Sequence, residues 1–330
     1  MRAAPHGARD GFVPLVTAKV SLADAAYDHH EGDRAVDKAY HFYLLSGVQL
    51  DFDSFDLGHG VSLSRTYVHL MGHPILAFAP AKEGEPSPAP WRTVVASDQA
   101  AAVDLLAELA VPQSDEPSDP TLHIDWASWI ALLLRFLTES VVTITLVSPV
   151  DSEGLRNGKA EAMLSERIPA VSARSSVTVG MASWLKGNWY SSFDLNYNEA
   201  VLYAVASLYH SHRSSKGLGM VSVWAGLERI FSTKEAELKY RVCTNIAAFL
   251  EPPGEFRYLL FKQLSKLYDD RSRAAHGSPM KNPNAYEESV SVASRALLRI
   301  IEINSVPDKD ELERELLAPA HRAKETKDKI

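Results

Sequence analysis

A chain of 330 residues, 46% apolar and 23% charged, is long enough to bury two ordinary cores and has the balance of a soluble globular protein. Its one cysteine, Cys243, excludes an internal disulfide and a Cys-based zinc cluster, and points to a reducing, cytoplasmic compartment. The net charge of −8 is unevenly spread: residues 1–189 hold 14 Lys and Arg against 23 Asp and Glu, and residues 190–330 hold 20 against 19, which excludes a broadly basic nucleic-acid coat but leaves room for a local patch.

In chain order, the N-terminus MRAAPHGARDGF lacks the apolar stretch of a signal peptide. AYHFYLLSGVQLDFDSF carries the aromatic and β-branched content of one or two strands, and the DLGHG after it suits a turn. VSLSRTYVHL and PILAFAPA are further strand candidates, and AKEGEPSPAP is a Pro-rich loop. Ser97 to Ala110 opens on Ser and Asp before an Ala/Leu run, the pattern of an N-capped helix. After the breaker-rich VPQSDEPSDP, the apolar stretch Trp126 to Val150 is interrupted by Arg135 and Glu139 and ends β-branched. It predicts a core helix and then a buried strand, not a membrane span. LRNGKAEAMLSERI reads as a short polar helix.

From Tyr197 the character changes to helix after helix, broken at Gly and Pro. Periodicity predicts helices over 198–212, 220–231, 235–250, 256–275 and 286–303, with SSKGLG, EPPG and HGSPMKNPN between them. Short connections between helices of this length predict antiparallel packing in a bundle. The charged tail after Val306 predicts one short helix and then a disordered end. The fold class expected is therefore α+β and multidomain. A mixed α+β unit spans 1–190, an all-α bundle 195–305 and a charged tail 306–330.

The segment that carries chemistry is KLYDDRSRAAHG, Lys266 to Gly277. Arg271 and His276 lie five apart at the end of a helix, which sets them about 140° apart around a regular one, so they converge only if the helix unwinds at Gly277. A histidine there can take and return a proton near neutral pH, and a guanidinium can hold two oxygens of a phosphate. Together they suffice for metal-independent cleavage of RNA, in which the ribose 2′-hydroxyl is the nucleophile and the crowded phosphate needs positive charge. The alternative is structural. Arg271 then pairs with Asp269, Asp270 or Glu228, and His276 caps the helix, favoured by its dipole.

The order WAGLERIF, then Lys239-Tyr240-Arg241-Val242, then FKQLSKLYDDRSRAAHG resembles the HEPN superfamily, in particular its ApeA-like anti-phage branch. Trp224, Leu227, Glu228, Arg241, Tyr268, Arg271, Ser272, His276 and Gly277 carry the resemblance, over about 110 residues by position. It implies a small helical bundle that forms a homodimer, with Arg and His of two chains lining one cleft. It further implies a metal-independent, cofactor-free ribonuclease of defence or toxin systems, or else a non-catalytic binding or dimerisation module. It assigns Arg271 and His276 as the catalytic pair and Ser272 and Tyr268 as supporting groups. Glu228 and Arg241 are either supporting residues or an ion pair joining two helices. Ser278 stands where toxins controlled by a nucleotidyltransferase antitoxin carry a Tyr, so such a partner is not expected. The acidic first half is expected to act as a sensor within the same chain.

Other candidates are weaker. His69 and His73 have zinc-ligand spacing, with Asp28, His29, His30 and His41 near in sequence, but Gly72 and Pro74 oppose a helix there. Asp51, Asp53 and Asp56 suit a solvated turn, no phosphate-binding Gly loop occurs, and Trp184, Trp189 and Tyr190 are expected to pack.

Overall fold

The computed structural model describes residues 39–70, 74–77, 92–95, 103–113, 122–157, 163–164, 175–212, 214–232 and 237–317. It is α+β, with an antiparallel sheet in the first half and helices through the second. The strands are β1 Tyr40–Ser46, β2 Val48–Leu50, β3 Ser54–Gly58, β4 Val61–Leu70, β5 Pro74–Ala77, β6 Arg92–Val95, β7 Val103–Pro112, β8 Thr143–Ser148, β9 Met163–Leu164 and β10 Ser175–Val177. The main sheet runs β3-β4-β7-β1-β8-β9, while β5 pairs with β6 and β10 runs parallel to β2. The Pro-rich loop 81–90 lies outside the described residues.

Strand β7 corrects the helix expected over 97–110; residues 97–102 of that stretch lie outside the described residues. Ala107, Leu109 and Val111 alternate into the core, and the strand pairs with β1 on one side and β4 on the other. Two flanking ladders and a period of two outweigh the helical preference of Ala, Leu and Glu. Glu108 is buried in this strand because the Ser152 N–H donates to its Oε2 at 2.6 Å. A second correction concerns 155–168. Helix α2, Ser152–Arg156, stops at its cap Asn157, and Met163–Leu164 instead pairs with β8; residues 158–162 and 165–168 of that stretch lie outside the described residues.

Helix α1, Leu122–Thr138, and β8 occupy the segment expected as core helix and buried strand. Trp129, Ile130, Leu133, Leu134 and Phe136 are all buried, so the helix is apolar around most of its circumference. It needs cover on both sides, and it packs against β1, β7 and β8 and also against helix α8, Ala285–Ile303. Among the described residues no helix is long and apolar enough to cross a membrane.

Helix α3, Val179–Asn188, which periodicity did not single out, is capped by the Thr178 hydroxyl and delivers Trp189 into the buried core. The Trp189 indole donates to the Leu57 carbonyl at 2.8 Å, and its own carbonyl accepts from the Trp129 indole at 3.1 Å. Trp189→Ala removes a fully buried ring and the indole bond to Leu57, while the backbone carbonyl that accepts from Trp129 remains. We expect it to lose about 3–5 kcal/mol in urea denaturation; a loss under about 1 kcal/mol would contradict this packing.

After a 3₁₀ turn at Phe193–Tyr197 come α4 Glu199–Ser211, α5 Lys216–Phe231, α6 Leu238–Leu250, α7 Glu255–Ala275, α8, and α9 Lys309–Leu317. Asn198 caps α4 by accepting from the N–H groups of Ala200 and Val201. Helix α5 starts four residues earlier than its apolar pattern suggests, since Lys216 to Gly219 are already helical. Gly219 is required by close approach. A Cβ there would stand 2.8 Å from both the Ser211 carbonyl oxygen and the Tyr286 ring. The tail beyond 317 lies outside the described residues.

Where α1, α4 and α8 meet, the Tyr286 hydroxyl lies 3.1 Å from Ser211 Oγ and 3.3 Å from His212 Nδ1. Burial, and then the Arg135 guanidinium, hold the His212 imidazole below its ordinary value of 6.5. A lowered pKa means that the charged ring is disfavoured in the folded chain. The stability it contributes is full above the unfolded value and is lost as pH falls through the lowered one. His212→Gln should therefore lose less melting temperature than the parent between about pH 7 and about pH 5. Equal losses would show that this imidazole is not the group responsible.

Candidate active site

Helix α7 carries the Arg-x4-His segment as far as Ala275, and His276 follows as its C-cap. It buries Leu260, Leu264, Leu267 and Tyr268 against α5, α6 and α8, and it remains regular to Ala275. It does not unwind before His276. The Ser278 N–H donates to the Arg273 carbonyl at 2.8 Å and the Gly277 N–H to Ala274 at 3.0 Å, with Gly277 at φ +70°. This pair of bonds closes the helix after His276, which sits at the cap position with φ −96° and ψ 14°. The unwinding that would bring Arg271 and His276 together within one chain is thus absent. They lie on opposite flanks of the same helix, about 140° apart.

Arg271 turns inward to α5. Its Nη2 lies 3.0 Å from Glu228 Oε1 and donates to Oε2 at 3.3 Å. Tyr268, one turn earlier, donates its hydroxyl to the same Oε1 at 2.9 Å. Burial, reinforced by the Glu228 carboxylate that accepts this proton, pushes the Tyr268 hydroxyl up to about 12. The Arg271 guanidinium carbon stands 5.3 Å from the Tyr268 ring centre, and Trp224 meets that ring edge-on at 5.0 Å. The Arg271 side chain is 22% exposed and that of Glu228 18%. Arg271 Nε is buried without a partner, and its Nη1 bonds to no described residue. The guanidinium is therefore fixed in direction while part of its donor capacity is unused.

The ion pair between Glu228 and Arg241, one of the two readings kept for those residues, does not form. Arg241 pairs instead with Glu313 of α9, and Glu228 is engaged by Arg271 and Tyr268. A partner placed 72 positions along the chain in the charged tail has no local signal in the sequence.

His276 is exposed, and its ring makes no hydrogen bond or ion pair among the described residues. Ser272 is half-buried, and its hydroxyl likewise has no partner among them. Asp270, raised from sequence only as a possible mate for Arg271, has a different task. Buried, it accepts the N–H groups of Lys281 at 2.6 Å and Asn282 at 3.1 Å, fixing the loop that follows His276. An Asp followed about ten residues later by a Pro/Asn-rich loop is the faint signal that sequence reading passed over.

The other candidates resolve into pairs. His69, on β4, lies 2.7 Å from Asp104, and His73 falls outside the described residues, as do Asp28, His29 and His30. His41 stacks on His123 at 4.2 Å. Asp53 meets Arg65 at 3.5 Å and Asp56 meets Lys186 at 2.8 Å, while Asp51 accepts from Ser176. Among the described residues no three His, Cys, Asp or Glu side chains are grouped to hold a metal ion.

No protein-family model, no curated protein and no solved structure matches this chain.

Proposed function

We propose that this chain is a metal-independent endoribonuclease of HEPN type, acting as a homodimer in antiviral defence. His276 serves as general base or acid, and Arg271 holds the scissile phosphate. The observation that carries the proposal is the contrast at the end of α7. An exposed, unbonded imidazole follows a guanidinium that Glu228 and Tyr268 hold in place with Nη1 uncommitted. A pre-oriented positive charge and an accessible imidazole are the two groups that an in-line 2′-hydroxyl attack needs. Since the two residues diverge on one helix, His276 of one chain must work with Arg271 of a second chain across a two-fold axis. In this reading the bundle 195–305 is the catalytic unit, and the mixed α+β half 1–190 is a cytoplasmic sensor that governs it.

Purified protein incubated with mixed cellular RNA in EDTA is expected to leave 2′,3′-cyclic phosphate ends, and His276→Ala to leave the RNA intact. Undiminished cleavage by both His276→Ala and Arg271→Ala would contradict the assignment. A second reading is favoured by the closed Glu228–Arg271 pair, which neutralises much of the guanidinium: a non-catalytic module that dimerises or binds RNA. It predicts no cleavage under any condition and RNA binding unaffected by His276→Ala.

A further inference from the structure

We infer that the outward face of α7 is a binding track for single-stranded RNA that ends at His276; the inference rests on the ribonuclease reading and names its substrate class. Most cations of the bundle are held by carboxylates. Lys216 pairs with Glu287, Arg229 with Glu199 and Arg295 with Glu251. Lys281, in the loop after α7, is one exception, and Lys262, Lys266 and Arg273 of α7 are the others. Among the described residues no carboxylate pairs with any of them; Arg273 uses Nε on the Pro279 carbonyl at 2.8 Å, and Lys262 Nζ lies 5.3 Å from the Tyr258 ring centre.

The three residues of α7 share one stripe. At about 100° per residue, Lys262, Lys266 and Arg273 fall within about 40° of each other around α7. Tyr258 begins the stripe and His276 closes it, with about 21 Å of rise from Lys262 to His276. Asp269 lies on the same stripe, but Lys239 of α6 neutralises it at 2.6 Å. Arg271 lies on the opposite side of the helix, where it meets Glu228. The stripe therefore offers a line of uncommitted positive charge in a chain of net charge −8, and that line leads to the exposed imidazole.

The aromatic residues decide between single strand and duplex. Tyr258 is 53% exposed, and Tyr240, edge-on to Phe261 on the adjoining helix, is 60% exposed. Exposed rings interleaved with cations suit unpaired bases, which present a stacking face; a duplex hides those faces and is read across a groove far wider than one helix stripe.

The test is fluorescence anisotropy of a labelled oligouridine of about 15 nucleotides on the full chain carrying His276→Ala, which prevents cleavage during titration. Adding Lys262→Glu and Lys266→Glu is expected to weaken binding at least about tenfold and to flatten the salt dependence by about 1.4 log units per log unit of salt. Tyr258→Ala should weaken it by about fivefold or more. Arg299→Glu, on the outer side of α8, should change it by less than about twofold. Unchanged affinity and slope in the double charge reversal would overturn the track. So would equal affinity for duplex RNA, or a change in sedimentation with no change in RNA binding, which would make the stripe a contact between copies of this chain.

The two proposals fail separately. If the parent protein cleaves nothing but the charge reversal abolishes binding, the nuclease reading falls and the track stands. If the parent cleaves and Lys262→Glu/Lys266→Glu leaves KM unaltered, the track falls and the nuclease stands. The outcome expected is a raised KM with kcat preserved.

Discussion

Cleavage of RNA in EDTA should fall by about 10²–10⁴ in His276→Ala, with no change in melting temperature. The two halves of this result follow from one observation. The imidazole is exposed, and its removal breaks no hydrogen bond or ion pair among the described residues. A loss of rate therefore reports chemistry alone. Arg271→Ala should lose rate to a similar degree, but it should also melt earlier. Loss of its guanidinium leaves Glu228 with only the Tyr268 hydroxyl as a partner among the described residues, in a site less than a quarter exposed. Initial rates and melting curves on the same preparations separate the two behaviours. Full activity in His276→Ala, or an early melt there, would contradict the placement of this ring.

Glu228→Ala should cost about 2–4 kcal/mol in urea denaturation, well above the ~0–1 kcal/mol of an exposed ion pair. The carboxylate accepts from two residues of α7 at once, Tyr268 and Arg271, and it is the described group that ties their polar ends to α5. Removing it strands a guanidinium whose Nε already lacks a partner. Glu228→Gln keeps an acceptor for the Tyr268 hydroxyl and so should lose less than the alanine variant. A loss under about 1 kcal/mol for Glu228→Ala would show that the pair is loosely held and leaves Arg271 free to move.

How much of this was legible in the sequence depended on the range of the interaction. The helices of the second half announce themselves through apolar residues at helical spacing, bounded by SSKGLG, EPPG and His276-Gly277. The structure keeps their order and most of their ends. The segment from Trp126 to Val150 was equally clear, because Arg135 and a β-branched run divide it into α1 and β8. Residues Val103–Pro112 misled because their composition favours a helix, while their conformation is fixed by pairing with Tyr40–Ser46, about 65 residues away by sequence, and with β4. The same limit governs the candidate site. Arg271 and His276 stand out by spacing, and Glu228 is one of three acidic residues that the sequence offers Arg271 as a mate. That Arg241 would instead reach α9, or that Asp270 would hold the loop after His276, depends on tertiary contacts that leave no periodic trace.

Complementation between two inactive chains tests the central claim most directly. If each site takes His276 from one chain and Arg271 from its two-fold mate, a mixed dimer of His276→Ala and Arg271→Ala regains one intact site. Equal mixing after dissociation and reassembly should then restore about a quarter of the parent cleavage rate in EDTA, since about half the dimers are mixed and each has one site of two. A mixture as inactive as its separate components, made from variants shown to exchange subunits, would contradict a ribonuclease site shared between two chains.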